Sequence, residues 1–453
     1  MTTTQTTREH TDQYAADFGE LLTRAADAGT DWANDLRERA MASFTEQGFP
    51  TTRHEQWKYT NLQPVADTQF ALAREPAELE YDDLRPYLIE GLDAALLVFV
   101  DGWFRPDLSD LSGVGDGVIV APLSDAMADH RERVEAKLGQ LVDFEDDAFS
   151  ALNTAFLESG VFVHVAAGVA AERPIHVLSL STAHQQPIAS HPRNLIVAEP
   201  GARATVIEQY IGVGEGVYLT NALTELFVAD KAHVQHYLLE RESPAAFNVS
   251  TLKLHQAAES DVHSHTALLG GQLVRNNIHP VLDGDDIHCL INGLYIGNDQ
   301  QHLDNQMRVE HRGLRGDSRQ FYKGILNDKS HGVFTGRIVV AEGAQQTDAK
   351  QSNRNLLLSE DARVNARPQL EIYADDVKCT HGATTGQIDE EMIFYLRSRG
   401  IDAQTARAMM IFAFAAETFE RIEVEPIERL LKRELARRLP RAASLADDFD
   451  ERA

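Results

Sequence analysis

The feature that most constrains the fold is a stretch of over two hundred residues, 151–385, whose sequence is strand-like throughout. Short apolar or alternating segments recur along it, and glycine, proline, asparagine or aspartate separates each from the next. This pattern is typical of β-strands joined by turns. The clearest segments span residues 161–165, 175–180, 195–197, 205–211, 223–228, 234–239, 278–282, 287–295 and 336–340. The sequence therefore predicts a mainly β core.

The length of this core favours one β architecture over the others. So many short strands exceed what a single β-sandwich usually holds, whereas a solenoid grows by adding turns. We therefore expect a parallel β-helix, which is a stack of short parallel strands. The sequence shows no exact repeat, so a large sandwich or jelly roll remains the alternative fold.

Helical sequence precedes the core in a mostly helical N-terminal region, 1–150. Residues 14–47 place apolar side chains at helical spacing. Residues 125–141 predict a further helix, with Ser124 as its cap. An apolar run at 96–100 is a short strand candidate within this region.

A C-terminal helical domain, 386–440, follows the core, and an acidic tail, 441–453, follows that domain. Its helices are expected over residues 390–398, 403–420 and 426–439, with Asp389 and Asp402 as caps of the first two. The third helix carries an apolar stripe beside a basic set, which comprises Arg429, Lys432, Arg433, Arg437 and Arg438. This basic set is either a solvated face of a core helix or a docking surface for an acidic partner.

The net charge of the protein limits the classes of partner that it can bind and indicates the environment in which it works. Its 453 residues include 42 lysines and arginines against 70 aspartates and glutamates, which gives a formal net charge of −28. This balance argues against binding to nucleic acid or to an anionic membrane. Dense carboxylates with few lysines favour a halophilic protein in a high-salt cytoplasm over an ordinary acidic mesophilic one, because salt screens their repulsion.

No segment predicts export or membrane insertion. No apolar run reaches the length of a membrane span, and the first residues lack the apolar core of a signal peptide. The two cysteines, Cys289 and Cys379, are too few and too distant in sequence for a disulfide framework. We therefore expect a cytoplasmic protein with reduced thiols.

Common catalytic motifs are missing from the sequence. It contains no P-loop, no H-E-x-x-H, no G-x-S-x-G and no C-x-x-C. The alternating glycines of GVGDG, at 113–117, do not open a helix after a strand, so they predict a turn rather than a nucleotide site.

Cys379 and His381 are the best candidate pair for chemistry. They are two residues apart, so they share one face if the segment is extended, and Gly382 and Gly386 are expected to end the strand pattern. Thiolate and imidazole are both ligands of iron and zinc. Two ligands leave a tetrahedral site incomplete, so the others would come from elsewhere in the chain or from a second chain.

Ordinary packing also accounts for these side chains. Cysteine is among the residues most often buried, so spacing alone favours a core Cys379 beside a hydrogen-bonded His381. Cys289 has apolar neighbours and is expected to be buried. His263 and His265 share a strand face, and we expect them to be surface or core histidines.

Motifs spread in order along the chain carry a family resemblance. They are HEQWKYTNL at 54–62, ALNTAF at 151–156, PRNLIV at 192–197, FYKGIL at 321–326, TDAKQSNRNLLLS at 347–359 and DVKCTHGATTGQIDEEMIFYLRSRGI at 376–401. In these segments the sequence resembles the SufB/SufD family, the scaffold subunits of the Suf system of iron–sulfur cluster assembly. The C-x-HGAT form of the last motif is more similar to the SufD branch than to the SufB branch.

The resemblance implies a fold, partners and a site. It implies a parallel β-helix core flanked by helical parts, pairing with a SufB-like subunit or with a second copy, and a SufC-like ATPase docked on the C-terminal helices. It also implies a transient iron–sulfur cluster at the subunit interface, with His381 as a ligand and Cys379 as the neighbouring thiol. The family complex is associated with reduced flavin, but no flavin residues are indicated, and no cofactor is expected to bind tightly to this chain alone.

The residues by themselves leave other functions open. A stand-alone thiol enzyme would use Cys379 and His381 in a small-molecule pocket. A β-helix carbohydrate enzyme or binding module would need clustered carboxylates or an aromatic groove, and only 7% of the residues are aromatic. A purely structural interface subunit would merely pack the pair. The resemblance favours a scaffold that is not an enzyme.

Overall fold

The computed structural model describes the backbone of residues 2–438 and the side chains of residues 14–438. The predicted acidic tail, 441–453, lies outside the described residues. The helices are α1 (Thr2–Asp27), α2 (Asn34–Gln47), α3 (Gln63–Ala66), α4 (Tyr81–Leu84), α5 (Leu123–Asp129), α6 (Arg131–Glu135), α7 (Ala148–Ala155), α8 (Glu390–Ser398), α9 (Ala403–Phe419) and α10 (Glu425–Arg437).

The strands occupy the middle of the chain. They are β1 (Ala71–Leu72), β2 (Ala95–Val100), β3 (Trp103–Phe104), β4 (Val118–Pro122), β5 (Val161–Val165), β6 (Ile175–Thr182), β7 (Ile188–Ser190), β8 (Arg193–Ala198), β9 (Arg203–Val213), β10 (Tyr218–Val228), β11 (His233–Arg241), β12 (Phe247–Gln256), β13 (Asp261–Leu268), β14 (Leu273–Leu282), β15 (His288–Gly297), β16 (His302–His311), β17 (Asp317–Leu326), β18 (His331–Val340), β19 (Asp348–Leu357), β20 (Arg363–Ile372) and β21 (Lys378–Gln387).

From β8 onward, consecutive strands alternate between two sheets. Sheet A runs in the order β4-β5-β8-β10-β12-β14-β16-β18-β20, and sheet B runs in the order β3-β2-β6-β9-β11-β13-β15-β17-β19-β21. Each strand pairs in parallel with the strand one turn later, as Leu273 pairs with His302 and His302 with His331, so a turn has about 29 residues. The predicted parallel β-helix is confirmed, and the sandwich alternative is wrong.

Side chains that point between the two sheets form the central core. Parallel register stacks equivalent residues of successive turns in columns, which favours apolar and β-branched side chains there. Val234, Val262 and Cys289 form one such column, and all three are fully buried. The prediction that Cys289 is buried is therefore confirmed.

Helical and irregular segments cover part of the outer face of each sheet. Trp57 and Phe70 pack with Phe247 on sheet A, and the Arg275 guanidinium lies 3.6 Å above the Trp57 ring. Side chains of α8, α9 and α10, such as the buried Phe412, pack on the outer face of sheet B. Full burial of one large apolar side chain contributes about 1.5–3 kcal/mol, so these contacts fix both covers firmly.

The region 1–150 contributes strands as well as helices to this architecture. β2 pairs in parallel with β6, so sheet B begins well before residue 151. The single helix predicted for residues 125–141 is wrong, because the chain breaks at His130 between α5 and α6. Ser124 does not cap it, since α5 begins directly after Pro122. No helix within the described residues is long and apolar enough to cross a membrane.

Candidate functional site at the open end of the solenoid

The last turn of the solenoid, formed by β20 and β21, leaves one end of the stack uncovered by further strands. Within residues 2–438, β20 pairs with β18 alone and β21 pairs with β19 alone. The outer edges of both strands therefore present backbone N–H and C=O groups without a strand partner. We call this last turn, β20 and β21, the open end.

The turn between the two strands is held firmly to the turn beneath it. It contains Asp375 and Asp376, as the sequence predicts. The backbone oxygen of Asp376 accepts a hydrogen bond from the N–H of Gln346 at 2.6 Å, and the N–H of Lys378 donates to Thr347 at 2.8 Å. These bonds set where β21 begins and thereby its register on β19.

β21 is longer than the sequence predicts. Gly382 and Gly386 were expected to end the strand pattern, but β21 continues through both glycines to Gln387. Parallel pairing with β19 over its whole length outweighs the low strand propensity of glycine. A Cβ placed at either glycine would meet no atom within 4 Å, so the space beside both is open.

The register places Cys379 and His381 on one face of β21. Cys379 pairs with Ala349 and His381 pairs with Gln351. Both partners are buried residues of β19, so the two candidate side chains continue interior columns of the stack. Their spacing in the sequence therefore becomes a shared face at the open end.

Cys379 is half-buried at the margin of a small apolar cluster. The cluster includes Ile338, Val340 and Ala349 from the turn beneath. Burial raises the pKa of the Cys379 thiol above its ordinary value, because a thiolate is poorly solvated there. The isolated chain thus holds Cys379 mainly as a thiol, and a metal ion would favour the thiolate.

His381 is exposed, in contrast to its buried register partner Gln351. Within the described residues, His381 is therefore not a core histidine enclosed by its own chain. An exposed imidazole and a half-buried thiol on one strand face supply two donor atoms of the kinds that bind iron. They leave a tetrahedral shell half filled.

Large apolar side chains are exposed in the segments next to the open end. At the end of β20 and on α8 they are Ile372, Tyr373, Met392, Phe394 and Tyr395. Phe394 is 73% exposed and Tyr373 is 64% exposed. As predicted, Asp389 caps α8, since its carboxylate accepts hydrogen bonds from two backbone N–H groups of the first turn. A fixed helix that exposes aromatic side chains is typical of a protein contact surface.

The basic set on α10 pairs with carboxylates of the same chain. Arg429 pairs with Glu425, Lys432 with Glu428, Arg433 with Glu90, and Arg437 and Arg438 with Glu434. Because each of these cationic groups lies beside a carboxylate, and Arg437 and Arg438 share the buried Glu434, the positive field of the set is weakened. The solvated-face interpretation of α10 is therefore favoured over docking of an acidic partner.

Comparison with known sequences decides the family. The family model for "SUF system FeS cluster assembly, SufBD core domain" matches residues 180–414, and the model for "SufBD protein N-terminal region" matches residues 8–177. The chain belongs to the SufBD family. It is 36% identical to SufD of Escherichia coli (strain K12) over 409 residues, which are 90% of this SufBD chain and 93% of that protein.

Other SufBD relatives agree over similar lengths. A SufBD family iron–sulfur cluster assembly protein of Synechocystis is 30% identical over 88% of this chain and 93% of its own. SufD of Bacillus subtilis is 27% identical over 88% of this chain and 92% of its own. The resemblance predicted from the motifs is confirmed, and this SufBD chain is an iron–sulfur cluster assembly protein most similar in its motifs to SufD.

Proposed function

We propose that this chain is the SufD-like half of a two-subunit scaffold for iron–sulfur cluster assembly. A SufB-like subunit, or a second copy of the chain, covers the open end. A SufC-like ATPase docks on the C-terminal helical domain, 386–440. The nascent cluster forms transiently at the covered open end, with His381 as a ligand and Cys379 as the supporting thiol.

One observation carries this proposal, namely that the chain's exposed imidazole and half-buried thiol share a face on a strand whose outer edge is unpaired. Iron–sulfur clusters take thiolate ligands, and imidazole replaces thiolate in some of them. Two donors do not complete such a site, so the remaining ligands come from the subunit that covers β21. Parallel or antiparallel pairing along the same edge would fix that subunit in place.

The exposed apolar side chains next to the open end support contact with other proteins in the same region. Burying a ring such as Phe394 or Tyr395 stabilises a complex by about 1.5–3 kcal/mol. These rings, rather than the internally paired basic set on α10, are the contacts that we assign to docking on the C-terminal helical domain.

The same two residues, Cys379 and His381, bear on two alternative functions. A stand-alone thiol enzyme is disfavoured, because burial raises the pKa of Cys379 and thereby lowers the thiolate population. The main alternative is a purely structural interface subunit, and the experiment below distinguishes it from a subunit that binds the cluster. Association of the complex with reduced flavin, and a cytoplasmic, high-salt setting, stay predictions.

The test uses the complex of this chain with a SufB-like subunit and a SufC-like ATPase, assembled anaerobically in high salt. Iron and acid-labile sulfide per complex are measured for the unchanged chain, His381→Ala and His54→Ala. His54 is also an exposed histidine, but it lies in the N-terminal region, so its variant is the matched control.

We expect the His381→Ala complex to assemble and to lose most of its iron and sulfide, while the His54→Ala complex keeps both. Equal cluster content in all three complexes would overturn the ligand role of His381. Failure of the His381→Ala chain to assemble, with its fold intact, would instead support the purely structural interface.

A further inference from the structure

A second group of ligand-type side chains lies on the outer side of sheet B, away from the open end. It consists of Asp261 and His263 on β13 and His288 on β15. One oxygen of the carboxylate and one nitrogen of each imidazole lie within 4.8 Å of one another. We propose that these three residues bind a divalent transition-metal ion, and we call them the Asp–His–His site.

The distances within the Asp–His–His site suit an ion. Asp261 Oδ1 lies 2.8 Å from His288 Nδ1 and 3.3 Å from His263 Nε2. Around a tetrahedral ion with bonds of about 2.1 Å, neighbouring ligand atoms are about 3.4 Å apart, so both distances to Asp261 need only small adjustments. The side chains of Asp261 and His288 are 37% and 44% exposed, which leaves the site accessible from solvent.

The second nitrogen of each imidazole faces a further carboxylate. His263 Nδ1 lies 2.8 Å from Glu423 Oε1, and His288 Nε2 lies 3.5 Å from Asp317 Oδ1. Histidines that bind metal ions almost always donate their other ring N–H to such a group, which fixes the tautomer and turns the lone pair to the ion. Here the nitrogen turned toward Asp261 is the one left free to bind in both rings.

A neutral ring arranged in this way sets its lone pair against an anionic oxygen of Asp261. A cation between them removes that repulsion. The Nδ1 of His233 lies 3.1 Å from the other oxygen of Asp261, where an N–H on that nitrogen donates to the carboxylate and helps to orient it. Protonation of the second nitrogen of each imidazole ring competes with metal binding. It would make Asp261, His263 and His288 an ion-pair network without a metal ion.

The donor set indicates which ions bind. Two imidazole nitrogens and one carboxylate oxygen suit Zn²⁺, Fe²⁺ and similar ions, whereas Mg²⁺ and Ca²⁺ prefer oxygen ligands alone. Three protein ligands leave at least one position for water.

The Asp–His–His site lies where the C-terminal helical domain contacts sheet B. Glu423, which orients His263, lies between the end of α9 at Phe419 and the start of α10 at Glu425. It accepts a further hydrogen bond from Gln235 of β11 at 2.5 Å. An ion bound to His263 would therefore strengthen the attachment of the C-terminal helical domain to sheet B.

The experiment titrates Zn²⁺ into the metal-free full-length chain in high salt by calorimetry, with Mg²⁺ and, anaerobically, Fe²⁺ in parallel. The test variants are His288→Ala and Glu423→Gln. The matched control is His255→Ala, because His255 Nε2 also faces a carboxylate, Asp283, at 3.3 Å. Cys379→Ala serves as a second control, since the thiol at the open end is another side chain of the protein that could compete for Zn²⁺.

We expect one Zn²⁺ per chain at a site that both controls retain, and no competition by Mg²⁺. His288→Ala should weaken this binding at least tenfold, and Glu423→Gln should weaken it by about tenfold, because Glu423 only orients a ligand. Binding of Co²⁺ gives a visible absorption band that reports ligand geometry, and this band should shift in Glu423→Gln. His288→Gln replaces His288→Ala if the alanine variant does not fold.

Unchanged Zn²⁺ binding in folded His288 variants would overturn the proposal, as would loss of all stoichiometric binding in Cys379→Ala alone. Absence of Zn²⁺ binding by the unchanged chain would leave the group as an ion-pair network. None of these outcomes depends on cluster assembly, so the test is separate from that of the proposed function.

Discussion

Replacing Glu242 by glutamine is predicted to remove a pH-dependent loss of stability from the middle of the solenoid. Glu242 is buried directly after β11, where its carboxyl group contacts Thr220 Oγ1 at 2.5 Å and Asn248 Nδ2 at 2.8 Å. Glu240 is buried beside it, and burial raises the pKa of Glu240 as well, although hydrogen bonds from three backbone N–H groups oppose that rise and favour its charged form. Burial, followed by the charge of Glu240, raises the pKa of Glu242 to about 8.

The direction of the effect follows from proton binding. Between the ordinary carboxyl pKa of 4.5 and a pKa of about 8, folded Glu242 keeps a proton that the unfolded chain has released. The stability of the folded state therefore falls as the pH rises through this window. Each pKa unit corresponds to about 1.4 kcal/mol, so the loss over the whole window is on the order of 5 kcal/mol. Glutamine avoids it, because it donates to Thr220 and accepts from Asn248 without a charge.

The assay is urea unfolding of the full-length chain at pH 5, 6, 7 and 8 in one fixed salt concentration. Glu259→Gln is the matched control, since Glu259 is exposed and pairs only loosely with Lys231 at 3.4 Å. The stability of Glu242→Gln relative to the unchanged chain should rise by a few kcal/mol from pH 5 to pH 8, while that of Glu259→Gln stays flat. A difference for Glu242→Gln that does not vary with pH would refute the reasoning.

Two further predictions concern backbone space and thiol access. Gly160→Ala should destabilise the fold by several kcal/mol or prevent folding, because φ is +119° and a Cβ would lie 2.0 Å from the backbone oxygen of Arg193. Gly382→Ala is the control and should leave the melting temperature nearly unchanged, because the space beside Gly382 is open. In the folded chain a small alkylating reagent should modify Cys379 slowly and should not modify Cys289 until urea unfolds the protein. Peptide mass spectrometry would detect the modification of each cysteine. Equal labelling of the two in the folded chain would contradict the difference in their burial.

Much of the fold could be predicted because it depends on local patterns. Alternating apolar residues and regular turn residues indicated the solenoid, and Asp389 and Asp402 were identified as the caps that the structure shows for α8 and α9. The break at His130 and the passage of β21 through Gly382 and Gly386 were missed. Pairing with β19 carries β21 through the two glycines, and a pattern along one strand does not contain that partner.

The candidate sites divide in the same way. The shared face of Cys379 and His381 follows from their spacing, but their position at the open end depends on the order of strands in sheet B. Asp261 and His288 are 27 residues apart, a separation that has no meaning until the length of a solenoid turn is known. Ligand-type side chains separated by one turn length, such as Asp261 and His288, would be the signal to search for in such a sequence.

The open end has a consequence for how the protein must be produced. Its final strand has the same backbone groups as every strand beneath it, so it offers a template on which any further strand can add. A symmetric pairing closes that edge, whereas a head-to-tail addition creates a new one and can propagate into a filament. Synthesis of this chain in excess over whatever caps it should therefore favour aggregates, and balanced production of the two becomes a condition for keeping the protein dispersed.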